Sequence, residues 1–293
     1  MSIDIANDTI ASVLAAARQA LAQHSDKQHS ESHLEAEVLL RDTLGCSRAW
    51  LVAHSTDPMP RHALAPFIER LHARAEGSPI AYITGEREFW SLPLSITADV
   101  LIPRADTELL VECALALLPV DAPRTVFEPG TGSGAVALAI ASERPLARVI
   151  ASDFSRAAVH IAQRNARQLA KQMANNAPVF INAHWLAPIN NTALDLLVSN
   201  PPYIRNDDPH LEQGDLRFEP RHALAGGNDG LSDLRTIIKQ APRCLRSGGW
   251  IALEHGHDQG AAVREILFAN GFATISTRTD LAGHERVSLG ARA

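Results

Sequence analysis

From about residue 100 onward the chain alternates short apolar runs with longer helical ones, and that rhythm constrains its fold more than any other feature. "RTVFEPG", "ARVIASD", "APVFINA", "LDLLVSN" and "GWIALEHG" have strand length and strand composition, and turn-forming or polar residues close each of them. Strands separated by helices are joined by crossovers. Crossovers make neighbouring strands parallel and leave helices on both faces of the sheet. The tail "FATISTRTDLAGHERVSLGAR" adds two further strands at an edge. The expected class is therefore α/β, with a seven-stranded, mostly parallel, doubly wound sheet over residues 101–293.

The chain has a different character before residue 80. Ile10, Val13, Leu14, Ala17 and Leu21 form one stripe at helical spacing. Leu34, Val38 and Leu39 follow a stretch, "SESHLE", that reads as a capping box. Leu64, Phe67, Ile68 and Leu71 form a third stripe after Pro60. Residues 1–80 are expected to be a small all-helical domain. Residues 81–100, with "GEREFWSLPLSIT", are expected to be an extended connector or β-hairpin in which Phe89 and Trp90 pack against the larger domain.

Composition excludes some classes of function. Net charge is −6, which argues against a duplex nucleic-acid binder, because such proteins carry a basic face to neutralise phosphates. Cys46, Cys113 and Cys244 are isolated, with no CxxC and no Cys/His pairing, as expected of reduced thiols in a cytoplasmic protein. No signal peptide and no membrane span is read from the sequence. His255 and His257 in "EHGHD" lack a third ligand at metal-binding spacing, so they read as a strand-end loop and no metal site is expected.

Three motifs fall at strand ends, where open α/β sheets bind ligands. In "FEPGTGSGAVALAI", Gly130, Gly132 and Gly134 allow a sharp turn and a close approach, and a helix beginning near Ser133 turns its positive end to the ligand. The run also fits a dinucleotide pattern, or a tight turn with no ligand at all. Asp153 closes the next strand, 23 residues after Gly130. That suits an acid that accepts from ribose hydroxyls, about 20 residues after the loop. It also suits a helix N-cap. Together these two motifs imply an adenosine-bearing cofactor.

The third motif discriminates. "VSNPPYIRND" places two prolines directly after an apolar strand, which stops it at once. A planar NH₂ conjugated to a π system is a poor nucleophile. The Asn200 side-chain oxygen and the Pro201 carbonyl can accept from its two N–H groups. Pro201 and Pro202 stiffen that pair, and the Tyr203 ring can stack on the planar group. Such a clamp aims nitrogen at an electrophilic carbon, and orientation carries much of the catalysis. Methyl transfer from a sulfonium requires this; hydride transfer does not.

With GxGxG, the acid after the second strand and NPPY after the fourth, the chain resembles class I, Rossmann-like methyltransferases that use S-adenosylmethionine (SAM). "SPIAYITGEREFWSLPLSITADVLIPRADTELLVE", "DPHLEQGDLRFEP", "GGNDGL", "LEHGHDQG" and "GHERV" further resemble the release-factor glutamine methyltransferase (PrmC/HemK) family over roughly residues 30–290. The resemblance implies that SAM is the methyl donor. It implies that the substrate is the Gly-Gly-Gln glutamine of class 1 peptide-chain release factors, and that the helical domain helps to recognise them. It also implies a cytoplasmic, monomeric enzyme with no nucleic-acid or membrane partner.

By position, Glu128, Gly130, Thr131, Gly132, Ser133, Gly134, Asp153, Trp185 and Asn200 carry over as SAM contacts. Asn200, Pro201, Pro202 and Tyr203 carry over as the catalytic glutamine clamp, with Arg104 on the substrate side. Glu128-Pro129, His184 and Ala105 depart from the family's usual Asp-Leu, Asp and Pro. Four extra residues near "KQMANNAPVF" are expected in a surface loop. A nucleic-acid amino methyltransferase, a ribosomal-protein glutamine methyltransferase and an adaptor that has lost SAM remain as alternatives.

Overall fold

The structure, a computed structural model, describes residues 8–24, 29–173, 176–191 and 193–293. Contacts divide the chain into two compact units, one ending at Gly85 and one beginning at Glu86.

The first unit is helical: α1 (Ile10–His24), α2 (His29–Leu44), α3 (Arg48–Ala53), α4 (Arg61–Ala75) and α5 (Ile80–Thr84). Ile10, Val13, Ala17 and Leu21 of α1 meet Leu39 and Leu40 of α2 and Phe67 and Leu71 of α4 in one buried cluster. Arg74, at the end of α4, makes a bidentate pair with Glu35 of α2 at 3.0 and 2.7 Å and donates to the carbonyls of Gly77 and Ser78. Planar fork-to-carboxylate pairing of this kind fixes direction as well as distance. Two expectations change here. Leu34 is 59% exposed, and the buried face of α2 runs through Ala36, Leu39 and Leu40 instead. The stretch read as a capping box lies inside α2, and the side chains of residues 30–32 lie outside those described.

The second unit opens with a hairpin, β1 (Glu86–Phe89) and β2 (Leu92–Ser95), closed by Trp90 and Ser91 at positive φ. A two-residue hairpin turn requires that conformation, and non-glycine residues adopt it under strain. Bonds on either side hold it: the Trp90 amide donates to Glu108, its indole donates to Glu143, and the buried Asn165 brackets Ser95 from both sides. Helix α6 (Glu108–Leu117) leads into the sheet.

The alternating elements follow as β3 (Arg124–Pro129), α7 (Ala135–Glu143), β4 (Ala147–Asp153), α8 (Arg156–Gln168), β5 (Val179–Asn182), β6 (Leu194–Ser199), α9 (Ser232–Cys244), β7 (Leu245–Glu254), α10 (Gly260–Ala269), β8 (Phe272–Thr279) and β9 (Glu285–Arg292). The sheet order is β5-β4-β3-β6-β7-β9-β8. The first five strands in that order pair parallel and the last two antiparallel, which is the mostly parallel, seven-stranded sheet that the periodicity predicts. The strand order reverses between β3 and β6, and loops diverge there to open a crevice beyond the carboxyl ends. Phe127, Leu197, Ile237, Ile251 and Leu267 are fully buried between sheet and helices beneath it. The "KQMANNAPVF" stretch falls partly on residues 174–175, outside those described. Among the described residues no helix is long and apolar enough to cross a membrane.

Candidate active site

A cavity of about 210 Å³ lies within the second unit, over the ends of β3, β4 and β6. Its floor is the glycine loop. Gly130, Gly132 and Gly134 all have positive φ (75°, 55° and 85°), so the chain turns within five residues and α7 begins at Ala135, two residues later than expected. At Gly130 a side chain is disfavoured twice: its conformation is left-handed, and a Cβ would press on the Trp185 ring at 3.2 Å. Trp185 is itself held at φ 44°, a backbone strain of the kind that surrounding structure must over-determine.

Two carboxylates flank the loop. Glu128 is 3% exposed, and its Oε2 accepts from the Thr131 hydroxyl at 2.6 Å and from the Ala137 amide at 3.1 Å. Burial pushes its pKa up to about 8, against the pull of those two donors. Asp153 accepts from the Gly132 amide through one oxygen and from the Ser155 amide through the other, both at 2.9 Å. Burial raises its pKa, opposed by those amides. Asp153 is not the N-cap of α8; Ser155 is, accepting from the Ala158 amide. With both Asp153 oxygens fixed by backbone donors, their remaining lone pairs point outward in a defined plane.

NPPY forms the opposite wall. Asn200 donates through Nδ2 to the Thr107 hydroxyl at 3.1 Å. Thr107 is the threonine of "IPRADTE", so that motif supports the clamp directly. The rest of the segment is pinned too. Glu219 of "RFEP" accepts from the Ile102 amide at 3.1 Å and pairs with Arg104, and Asp106 pairs with Arg286 of "GHERV" at 3.2 Å. The "GGNDGL" loop closes against NPPY from behind. A Cβ on Gly226 would collide with the carbonyl oxygens of Pro202 and Gly230, so only glycine lets the two backbones meet. Gln259 donates to the Tyr203 carbonyl at 3.0 Å.

The cavity wall brings together Arg104, Glu128, Gly130, Thr131, Gly132, Ser133, Asp153, Trp185, Asn200 and Pro202. Gly134, Pro201 and Tyr203 are not on it. Gly134 caps α7, Pro201 is buried, and Tyr203 packs on the apolar core with its hydroxyl donating to Glu254 at 3.3 Å. Several wall residues escaped the sequence reading, among them Thr107, Phe154, His222 and Asp233. Phe154 is 54% exposed and meets His222 edge-on at 5.0 Å. A large aromatic directly after the strand-end acid is the signal in the sequence that points to it. His184 faces Asp233, whose pKa burial raises and His184 draws back. His255 is buried, bonded to the Gly256 carbonyl and the Ser288 hydroxyl, and burial lowers its pKa. Among the described residues no three His, Cys, Asp or Glu side chains are grouped to hold a metal ion.

A reversed parallel sheet with a glycine loop at its first strand, an acid at its second and NPPY at its fourth defines a methyltransferase. The "Methyltransferase small domain" family model matches residues 105–214, and the "PrmC N-terminal domain" model matches residues 12–85. A methyltransferase from Pyrococcus furiosus shares the fold at TM-score 0.51 and 17% identity, over 76% of this chain and 97% of that one. The release factor glutamine methyltransferase of Xylella fastidiosa is 49% identical over 88% of this chain and 92% of its own length. That of Vibrio cholerae is 44% identical over 96% of each. The chain belongs to the release factor glutamine methyltransferase family.

Proposed function

We propose that this chain methylates the side-chain amide nitrogen of the glutamine in the Gly-Gly-Gln tripeptide of class 1 release factors, using SAM and leaving S-adenosylhomocysteine. The observation that carries this reading is Asn200. It lines the same cavity as the glycine loop and Asp153, across from them, with its amide nitrogen already engaged by Thr107. An amide whose nitrogen is occupied offers its oxygen to the cavity, and an oxygen there accepts from an NH₂.

The other wall residues suit an adenosine-bearing methyl donor. Asp153, held by two amides, accepts from ribose hydroxyls. Trp185 and Phe154 offer apolar faces to a purine. Glu128, kept largely protonated by burial, gains a reason to ionise when an ammonium group approaches. When bound, SAM supplies a methyl carbon made electrophilic by its sulfonium.

Against that carbon, the Asn200 oxygen on the cavity wall accepts from the glutamine NH₂ and fixes the nitrogen's direction. The prolines and the Glu254 bond of Tyr203 hold the turn. Arg104, tied to Glu219 and one-third exposed, meets the peptide at the cavity mouth. A C–N bond forms as the C–S bond breaks, and the methylated nitrogen, now acidic, loses its proton to water. Enclosure by these groups needs no general base.

Incubation with methyl-labelled SAM and a purified class 1 release factor tests the reading. Label on the wild-type factor and none on one carrying Gln→Ala in Gly-Gly-Gln is expected. Equal label on both, or label only on ribosomal protein or nucleic acid, overturns it.

A further inference from the structure

The function just proposed leaves one stretch of the cavity lining without a part: "RHAL", which follows "RFEP" and carries His222. His222 lies on the cavity wall, and so does Phe154, the residue after Asp153. Both are also exposed, Phe154 at 54%. A side chain that faces both the cavity and the solvent stands at the rim. The two rings meet edge-on there, with centroids 5.0 Å apart and planes at 77°. Aromatic rings favour that arrangement. The contact spans the cavity, because the rings come from opposite sides of it. Phe154 follows β4 on the glycine-loop side, and His222 stands on a single helical turn (Arg221–Ala223) tied to the segment after NPPY.

The backbones that carry the rings are pinned. The Asn182 side chain donates to the carbonyls of Asp153 and Phe154 at 2.9 and 2.8 Å. On the other side, the Ile204 amide donates to the Leu224 carbonyl at 3.0 Å, and the Gly226 amide to the Ile204 carbonyl at 2.8 Å. Arg221 donates to Glu212 at 2.9 Å and to the Asn206 carbonyl at 3.0 Å. What can part is therefore the pair of rings, by rotation of exposed side chains, and not the loops beneath them. We infer that Phe154 and His222 form a latch across the donor side of the cavity, and that SAM enters and S-adenosylhomocysteine leaves between their rings. The inference rests on the reading of this cavity as the SAM site. Exposed rotamers change within nanoseconds, so entry and exit both scale with the fraction of time the rings are apart. The ring-to-ring contact contains no donor atom. Weakening it speeds entry and exit together and leaves affinity nearly as it was.

The test is stopped-flow binding of SAM and S-adenosylhomocysteine to the full chain, with Tm as the report of folding. His222 is exposed, so its variants keep the wild-type Tm. His222→Ala is expected to raise the association and dissociation rates of both ligands by about fivefold, with Kd within about twofold. His222→Phe keeps a ring at the rim and stays within about twofold of the wild type in both rates. Phe154→Ala removes a purine face as well as the latch, so it also weakens affinity. In that background His222→Ala adds less than about twofold to either rate, because its partner is already gone. Faster dissociation with unchanged association would make His222 a direct donor contact and overturn the latch. So would unchanged rates in His222→Ala, or Phe154 and His222 effects that multiply. Wild-type protein that binds SAM but transfers no methyl to a release factor overturns the proposed substrate and leaves the latch standing; wild-type protein that binds no SAM overturns both.

Discussion

The two walls of the cavity are built in opposite ways. The glycine-loop wall is made of backbone: three left-handed glycines, the first amides of α7, and an acid whose two oxygens are fixed by the amides of Gly132 and Ser155. The NPPY wall is made of side chains from distant segments. Thr107 lies 93 residues from Asn200, Glu254 lies 51 from Tyr203, and Glu219 lies 115 from Arg104. A backbone wall suits a ligand that is the same at every turnover. A wall of interlocked side chains suits the orienting of a reacting amide, where direction decides the rate. The first should govern affinity for the methyl donor and the second the rate of transfer.

That division can be broken most easily at Asn200. Asn200→Ala is expected to lower kcat by on the order of a hundredfold or more while leaving SAM affinity within a few-fold. A comparable loss in both, from calorimetry and single-turnover rates, would erase the distinction between the walls. Asp153→Ala is the mirror experiment. It removes the acceptor proposed for the ribose hydroxyls and leaves two part-buried amides unpaired, so SAM affinity should fall on the order of tenfold or more. The rate at saturating SAM should change much less; a fall in kcat as large as that in affinity would count against it.

Gly226→Ala sharpens the comparison from behind the NPPY wall. Relieving its collision with the Pro202 and Gly230 carbonyls should cost about 1–3 kcal/mol of stability, read as a lower Tm, and should slow transfer without weakening SAM binding. An unchanged Tm would show that the loop shifts freely.

The smallest effect is the pH dependence of the donor wall. Glu128 has a folded pKa of about 8, above its ordinary 4.5. The folded protein therefore keeps a proton that the unfolded chain has released, and this site destabilises the fold increasingly as pH rises from about 4.5 to 8. A ligand whose ammonium group needs the carboxylate must displace that proton. Its affinity should rise with pH by at most about tenfold per unit and level off above 8, with proton release visible when calorimetry is repeated in buffers of different ionisation enthalpy. Glu128→Gln should abolish that component; proton release unchanged in the variant would place the ammonium elsewhere.

The same contrast explains what could be read from the sequence. The parallel sheet, the glycine loop, Asp153 and NPPY were legible because each is a local pattern: strand length and period, glycines at fixed spacing, an acid at a strand end, prolines that stop a strand. The partners of "IPRADTE" were not, because nothing local says that Thr107 meets Asn200 or that Glu219 of "RFEP" meets Arg104. Tyr203 shows the limit from the other side. Its residue type suggested an aromatic platform for the substrate, while its hydroxyl draws it back to the buried Glu254 and off the cavity wall. The start of α7 shifted from Ser133 to Ala135 because the third glycine, also left-handed, delays the helix. Leu34 was placed in the core by spacing alone, and the helix turns its neighbours Ala36 and Leu39 inward instead.

The central claim is that a glutamine amide nitrogen is the atom methylated. The measurement that tests it most directly is fragmentation mass spectrometry of a class 1 release factor after incubation with this protein and SAM. The account predicts one added methyl, confined to the side chain of the Gly-Gly-Gln glutamine and formed far more slowly when Asn200 is alanine. A methyl on any other residue of the factor, or on the same glutamine at an undiminished rate without Asn200, would contradict it.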